Sequence, residues 1–300
     1  MKTIKVTSDT YEQYKLQIID MESACFEGNL LFTDEEIRDM VLAGDNIFWE
    51  DNNKLIAGTY YQPINTMTDE DFYDEDYGCQ FHPLEHKHQD AIYINSTAIL
   101  PEYRNKGLID EIKITLLDEL RANRVKYVIG HAHDGKMWHI NQKYGGEAIL
   151  KYDDWYGEGK HYLYEINLFK QHNDYCCAAY ALWCWASGKG FGYISPYSLI
   201  KELPCREDDG TSYLSLTNYL NSYMLNSIYT SDYSELSDMK FPCIVNYQYE
   251  GDGHYGVALG FDGSLILLYN PATGETEKMN KYEFYNSWYS NRYGKRFLLK

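Results

Sequence analysis

Residues 91–133 read as strand, helix and strand in direct succession. "AIYINSTAIL" has the β-branched, alternating pattern of a strand, "LIDEIKITLLDELRAN" carries an apolar stripe at helical spacing, and "VKYVIGHAH" returns to strand. That order is a βαβ unit and commits the first part of the chain to an α/β layer architecture. The turn inside the unit, "PEYRNKGLIDE", brings a glycine and a helix N-terminus together, and backbone N–H groups so placed suit a diphosphate. Upstream, "YEQYKLQIIDMESACF" has helical spacing, and "NIFWEDNNKLIAGTYYQPI" reads as a hairpin whose strands meet at Asp51, Asn52 and Asn53. Downstream, "KMWHINQKYGG" reads as a short helix closed by Gly145 and Gly146.

The chain has 300 residues, room for two domains with separate cores. Its 27 basic against 45 acidic residues give a formal charge of −18, which repels phosphate backbones and anionic surfaces, so neither nucleic acid nor membrane is expected as a partner. There is no run of about twenty apolar residues. The start "MKTIKVTSDTYEQY" lacks the apolar stretch of a signal peptide, and a cytoplasmic location is expected. Seven cysteines, an odd number in a chain of this size, point to free thiols. The segment "TMTDEDFYDEDYGCQFHPLEHKHQD" offers Cys79, His82, His86 and His88, but Pro83 interrupts the histidine pair and no Cys-x-x-Cys anchors the group. It reads as a solvated loop, with no metal.

The motifs "ILPEYRNKGLIDEI" and "INQKYGGEAI" resemble the acetyl-CoA-binding core of the GNAT acyltransferases, over roughly residues 1–168. The resemblance implies a mixed sheet flanked by helices. It also implies a pyrophosphate loop at Arg104, Asn105, Lys106, Gly107 and Leu108, with the backbone near Ile99 offered to the pantetheine arm of acetyl-CoA. The sequence departs from that pattern at Ile109, where the family has Gly or Ala, and at Asn141, where it often has the Tyr that protonates the leaving thiolate.

From about residue 170 the pattern changes to a helix-rich stretch followed by strands. "CCAAYALWCWASGKG" favours a helix that ends at Gly188, which puts Cys177 at a helix N-terminus, where the dipole favours thiolate. Cys184 and Cys205 are expected to be buried and inert. "GDGHYGVALGFDGSLILLYNPATGE" reads as two strands joined at "FDGS", with His254 opening the first and Asn270 ending the second. A loop of Phe261, Asp262 and Gly263 places His254 directly opposite Asn270 on one face. A two-residue Asp262–Gly263 turn would pair His254 with Pro271 instead. The first register is expected, a bulge elsewhere being the other way to bring the two residues to one face. Cysteine, histidine and asparagine so placed are a cysteine-hydrolase constellation. The side-chain amide of Gln171, six residues before Cys177, suits an oxyanion donor.

Together "QHNDYCCAAYAL", "GTSYLSLTNYL", "GHYGVALGFDGSLILLYNPATGE" and "WYSNRYGKRFLL" resemble the C39-like branch of papain-fold cysteine peptidases, over about residues 169–300. The resemblance implies Cys177 as nucleophile in preference to Cys176, His254 as base, Asn270 as its orienting residue and Gln171 as oxyanion donor. Ala178 stands where the family usually has Gly. The expectation is an α/β (α+β) protein, a GNAT-like domain at 1–168 and a C39-like cysteine peptidase domain at 169–300, acting on a peptide or a small amide or acyl substrate. Two alternatives share these residues: an acyltransferase drawing on a thioester donor, and a peptide- or acyl-binding protein built from degenerate enzyme folds.

Overall fold

The computed structural model describes residues 1–67, 73–74, 79–80, 90–154, 157, 159–223, 228–230, 241–290 and 296–299. His82, His86 and His88 lie outside these residues, as does the side chain of Cys79. The chain divides into two compact units, Met1–Leu168 and Phe169–Lys300.

The first unit runs β1 (Lys2–Ile4), α1 (Tyr11–Cys25), α2 (Asp34–Ala43), β2 (Asp45–Asp51), β3 (Lys54–Pro63), the two-residue strands β4 (Tyr73–Asp74) and β5 (Cys79–Gln80), β6 (Ala91–Ile99), α3 (Leu108–Ala122), β7 (Tyr127–His133), α4 (Lys136–Lys143), β8 (Gly146–Tyr152) and β9 (His161–Asn167). Seven strands form one mixed sheet in the order β1-β2-β3-β6-β7-β9-β8, and helices flank it as the βαβ pattern predicts. The β2–β3 hairpin turns on Asn52 and Asn53, at φ 50° and 62°, the left-handed pair whose twist matches the strands. A capping box between Thr33 and Glu36 starts α2. Gly145, at φ 88°, follows α4 as expected, while Gly146 already opens β8. Met21, Ile18, Ile37 and Val41 of the first two helices pack with Phe48 and Tyr60 of the sheet.

Two irregularities open the centre of this sheet. The one parallel pair among the described residues, β6–β7, runs from Ala91↔Tyr127 to Ile94↔Gly130 and stops, although β6 continues to Ile99. Beside that end, β6 carries an extra residue, Asn95, between the pairs Tyr60↔Ser96 and Tyr61↔Ile94.

The second unit runs α5 (Cys177–Gly188), α6 (Pro196–Glu202), α7 (Tyr213–Ser222), β10 (Ile228–Thr230), β11 (Cys243–Tyr249), β12 (Asp252–Asp262), β13 (Leu265–Asn270), β14 (Glu275–Asn280), α8 (Lys281–Ser290) and β15 (Arg296–Leu299). Its six strands pair antiparallel in the order β10-β15-β11-β12-β13-β14. Helix α5 is apolar around most of its circumference and buried accordingly, as the core of a two-layer packing requires. It shares one cluster with Ile244, Tyr255, Val257 and Tyr269, while Phe284 and Trp288 of α8 share another with Tyr247, Ala258 and Leu268.

The packing is tight enough in the first unit for one methyl group to matter. A Cβ on Gly58 would lie 2.6 Å from two ring atoms of Phe48 and 2.9 Å from the Met21 methyl. Because Phe48 is fully buried, its ring has no room to withdraw. Gly58→Ala is expected to destabilise this unit by about 1–3 kcal/mol, read from the urea midpoint of its unfolding transition at unchanged slope.

Candidate active site

At the start of β12 and the end of β13, His254 Nε2 lies 2.9 Å from Asn270 Oδ1, with both residues buried. The amide's orientation is set by two further contacts. The Ala272 N–H donates to Asn270 Oδ1 at 3.0 Å, and Asn270 Nδ2 donates to the Glu277 carboxylate on β14 at 2.9 Å. A carboxylate only accepts, so Oδ1 is the atom facing the imidazole, and Nε2 must carry the hydrogen that it receives. The other ring nitrogen, Nδ1, is left as the acceptor. Tyr247 meets the imidazole edge-on at 5.5 Å between ring centroids, and Tyr249 meets it at 5.1 Å.

The register that brings this pair together differs from the expected one. Asp262 pairs with Leu265, so the turn is Gly263–Ser264, not Phe261–Asp262–Gly263. Gly263, at φ 59°, takes the first central position, as in a type II′ turn. One residue, Leu259, is left over between the pairs Ala258↔Leu268 and Gly260↔Leu267. That bulge restores the common face: continuing the Val257↔Tyr269 register sets Gly256 across from Asn270 and His254 one diagonal step away. Gly256 is needed there, since a Cβ would come within 2.9 Å of the Tyr269 carbonyl oxygen and 3.0 Å of the Tyr247 ring.

Cys177 is the first residue of α5, and the backbone N–H groups of Tyr255 and Ala178 are directed at its thiol. Tyr255 adjoins His254, yet no hydrogen bond joins the Cys177 thiol to the imidazole among the described residues. Resting sites of this kind often tighten only when substrate is bound. Burial pushes the thiol up to about 11 and the His254 imidazole down to about 4, the latter against the opposing hydrogen bond to Asn270. The resting pair is therefore neutral at pH 7. Cys176 points elsewhere: its thiol lies 3.4 Å from the Asn173 carbonyl oxygen and 4.0 Å from His172 Nδ1, and burial pushes it up to about 12. Cys184 and Cys205 are half-buried, not buried as expected, because each lies against the rim of the α5 cluster.

Gln171 is anchored to the same corner, its N–H donating to the Pro271 carbonyl at 2.7 Å. Two residues before it, the Phe169 carbonyl accepts from the Tyr269 hydroxyl at 2.5 Å. The Gln171 Oε1 is buried and has no hydrogen-bond partner among the described residues. Gln171, His254 and Asn270 thus converge at one end of β12 and β13. Glu277, Tyr247 and Tyr249 surround them without having been legible as site residues, since β14 alternates too weakly to mark an inward face and tyrosine is common throughout the chain.

In the first unit, the Ile99 carbonyl accepts from Arg104 Nε at 2.8 Å and from the Cys25 thiol at 3.2 Å. Asn105, at φ 59°, accepts from Lys136 Nζ at 2.8 Å, and Lys106 lies over the Tyr103 ring at 5.3 Å. Gly107, at φ 79°, is the N-cap of α3 and faces open space, and Leu108 is buried behind it. A cleft of about 240 Å³ runs past Tyr103, Lys106, Gly107 and Glu111. Asn141 is turned inward, buried against the Tyr164 hydroxyl.

Residues 165–292 match the family model of the Peptidase C39 family. No curated protein matches the chain. Among solved structures, the ribosomal-protein-S18-alanine N-acetyltransferase from Escherichia coli aligns at 12% identity and a TM-score of 0.42, over 56% of this chain and 93% of its own. The loading GNATL domain of CurA from Lyngbya majuscula aligns at 16% identity and 0.39, over 56% and 97%. A GNAT family acetyltransferase from Elizabethkingia anophelis with acetyl-CoA bound aligns at 12% and 0.38, over 55% and 97%. No helix among the described residues is long and apolar enough to cross a membrane.

The lowered His254 pKa has a definite sign for stability. The unfolded chain takes up a proton near pH 6.5, the folded chain only near 4, so stability is lost as pH falls through that window. The loss is expected to be at most about 1.4 kcal/mol per pH unit, and His254→Asn should flatten it, measured by denaturant unfolding between pH 7 and 4.

Proposed function

We propose that this chain is a two-domain enzyme whose second unit is a C39-like cysteine peptidase or amidase and whose first is a GNAT-like N-acyltransferase. The observation that carries the first half of this reading is the buried His254–Asn270 hydrogen bond, which fixes an imidazole with its accepting nitrogen free, next to the strand residue that faces the Cys177 thiol. The match of residues 165–292 to the Peptidase C39 family supports it.

In the proposed reaction His254 Nδ1 takes the thiol proton as Cys177 attacks the carbonyl carbon of a peptide or small amide. Asn270 Oδ1 holds the resulting imidazolium through Nε2–H. The Gln171 side-chain amide and the Cys177 backbone N–H stabilise the oxyanion. The imidazolium then returns its proton to the leaving amine, and water activated by the same histidine releases the acyl group from sulfur. A thioester donor would follow the same course with a thiol as leaving group, the outcome then depending on whether water or an amine reaches the acyl-cysteine.

A second reading, a peptide- or acyl-binding protein, is favoured by one observation: the Cys177 thiol is buried, raised to about 11 and not hydrogen-bonded to His254. A short peptidyl thioester separates the two. The enzyme reading expects an added acyl mass on Cys177 after acid quench, absent in Cys177→Ser and strongly reduced in His254→Ala. An unmodified Cys177 in the wild-type chain sinks the enzyme reading.

In the first unit, the open space at Gly107, the N-terminus of α3 and the adjoining cleft fit the diphosphate of an acyl-CoA, which when bound supplies an activated thioester. Arg104, Asn105, Lys106, Gly107 and Leu108 would line that group, with Ile99 beside the pantetheine arm. Acetyl-CoA is expected to raise the melting temperature of the wild-type chain in proportion to the logarithm of its concentration, and Gly107→Asp to abolish the shift. No shift at millimolar acetyl-CoA would remove acyl transfer from CoA.

A further inference from the structure

Behind Asn270 stands a carboxylate that none of the roles above uses. Glu277 Oε1 accepts from Asn270 Nδ2 at 2.9 Å and from the Thr273 hydroxyl at 3.1 Å, and Thr273 Oγ1 also reaches the Asn270 carbonyl at 3.3 Å. Glu277 pairs with Leu268 across β13 and β14, which places it on the face that holds Asn270 and His254. It is half-buried, and it sits within electrostatic range of Tyr247, the ring that packs against the imidazole from β11. A glutamate on an outer strand that meets an inward amide, when it could extend into water, is held for a reason.

We propose that Glu277 is a positioning residue for His254: it fixes the Asn270 amide and places a negative charge behind it, so that Oδ1 receives the imidazole Nε2–H more strongly. The chain of contacts then reads Glu277, Asn270, His254, and Cys177 joins it only in the proposed reaction. An amide oxygen alone is a weaker partner than a carboxylate for an imidazolium, because it carries no net charge. With a carboxylate accepting at Nδ2, the amide is polarised towards Oδ1, and successive hydrogen bonds strengthen one another. The charge is supplied one residue further out, where solvent and Thr273 lower the desolvation penalty. This inference rests on the cysteine-hydrolase reading for its purpose but not for its geometry.

The groups that meet the imidazole are Tyr247 and Tyr249 from β11 and Asn270 from β13, with Glu277 behind Asn270 on β14. The test compares the full-length wild type with Glu277→Gln and Glu277→Ala by two readouts: the downfield Nε2–H proton resonance of His254, and the rate of Cys177 alkylation by iodoacetamide from pH 5 to 9. Glu277→Gln keeps the shape and removes the charge. It is expected to keep the resonance, shift it upfield, and slow alkylation several-fold. Glu277→Ala is expected to broaden or lose the resonance and slow alkylation by roughly tenfold, the scale of one net hydrogen bond. A merely structural role would lower the melting temperature of Glu277→Ala yet leave both readouts at wild-type values in the folded protein, and that result overturns the proposal. Should the alanine variant fail to fold, an unshifted resonance in Glu277→Gln overturns it equally. If wild-type Cys177 alkylates no faster than Cys184 and ignores His254→Ala, the hydrolase reading falls, while the resonance still decides the role of Glu277.

Discussion

The His254–Asn270 hydrogen bond is the contact on which the second unit is organised. Both partners are buried, and leaving either unpaired in that position would cost about 1–3 kcal/mol. Neither residue can reach the other unless β12 and β13 present them on the same face, and side chains alternate strictly along a strand. With a two-residue turn at Gly263–Ser264 and a regular ladder, they would fall on opposite faces. The single extra residue at Leu259 corrects the parity, and the absence of a side chain at Gly256 keeps the diagonal between them open. Turn, bulge and glycine are thus three consequences of one contact.

This also shows where the sequence is readable and where it is not. The strand, helix and strand of residues 91–133 were legible because each has a strong period and the turn between them carries a glycine at a position that proves to need φ 79°. The hairpin at Asn52 and Asn53 was legible because two adjacent asparagines tolerate the left-handed pair. In "VALGFDGS" both Gly260 and Gly263 punctuate, and the local pattern does not say which one turns the chain: a three-residue loop puts Gly263 third, whereas in the structure it takes the first central position of a two-residue turn. Gly260, beside the extra Leu259, marked the bulge, as a glycine within a strand often does. The residue types of the site were visible in the chain. Their partners were not, because Glu277 and Tyr247 are brought to His254 by pairing between strands, which leaves no local pattern.

Two buried groups, one in each unit, respond to pH in opposite senses. In the first unit, Glu22 is fully buried, bonded to the Tyr60 hydroxyl and to Ser96 Oγ, and burial raises its carboxyl to about 7. Its folded form holds a proton that the unfolded form gives up from about pH 4.5, so its contribution is present in acid and is lost as pH rises through 7. His254 acts in the reverse sense, weakening the second unit as pH falls from 6.5 towards 4. The two windows overlap between about pH 4.5 and 6.5, where the fold keeps Glu22 protonated and His254 neutral while the unfolded chain gives up the one proton and takes up the other.

The α3 turn raises a different electrostatic question, since Asp110 and Glu111 open a helix whose N-terminus would receive a diphosphate. Acidic side chains there suit the helix dipole but oppose a second anion. The structure deals with them unequally. Asp110 is turned aside and neutralised by Lys143 at 2.6 Å and the Tyr144 hydroxyl at 2.7 Å, whereas Glu111 lines the cleft next to Gly107. Arg104 is exposed, so exchanging its bond to the Ile99 carbonyl for one to phosphate loses little and gains a charge-assisted contact. Lys106 lies over the Tyr103 ring and within Coulombic range of Glu102, so Arg104 and Lys106 meet two carboxylates, Glu111 and Glu102, the latter also paired with Lys54. Were a diphosphate to bind there, Glu111 would oppose it, and added salt would weaken its attraction to Arg104 and Lys106.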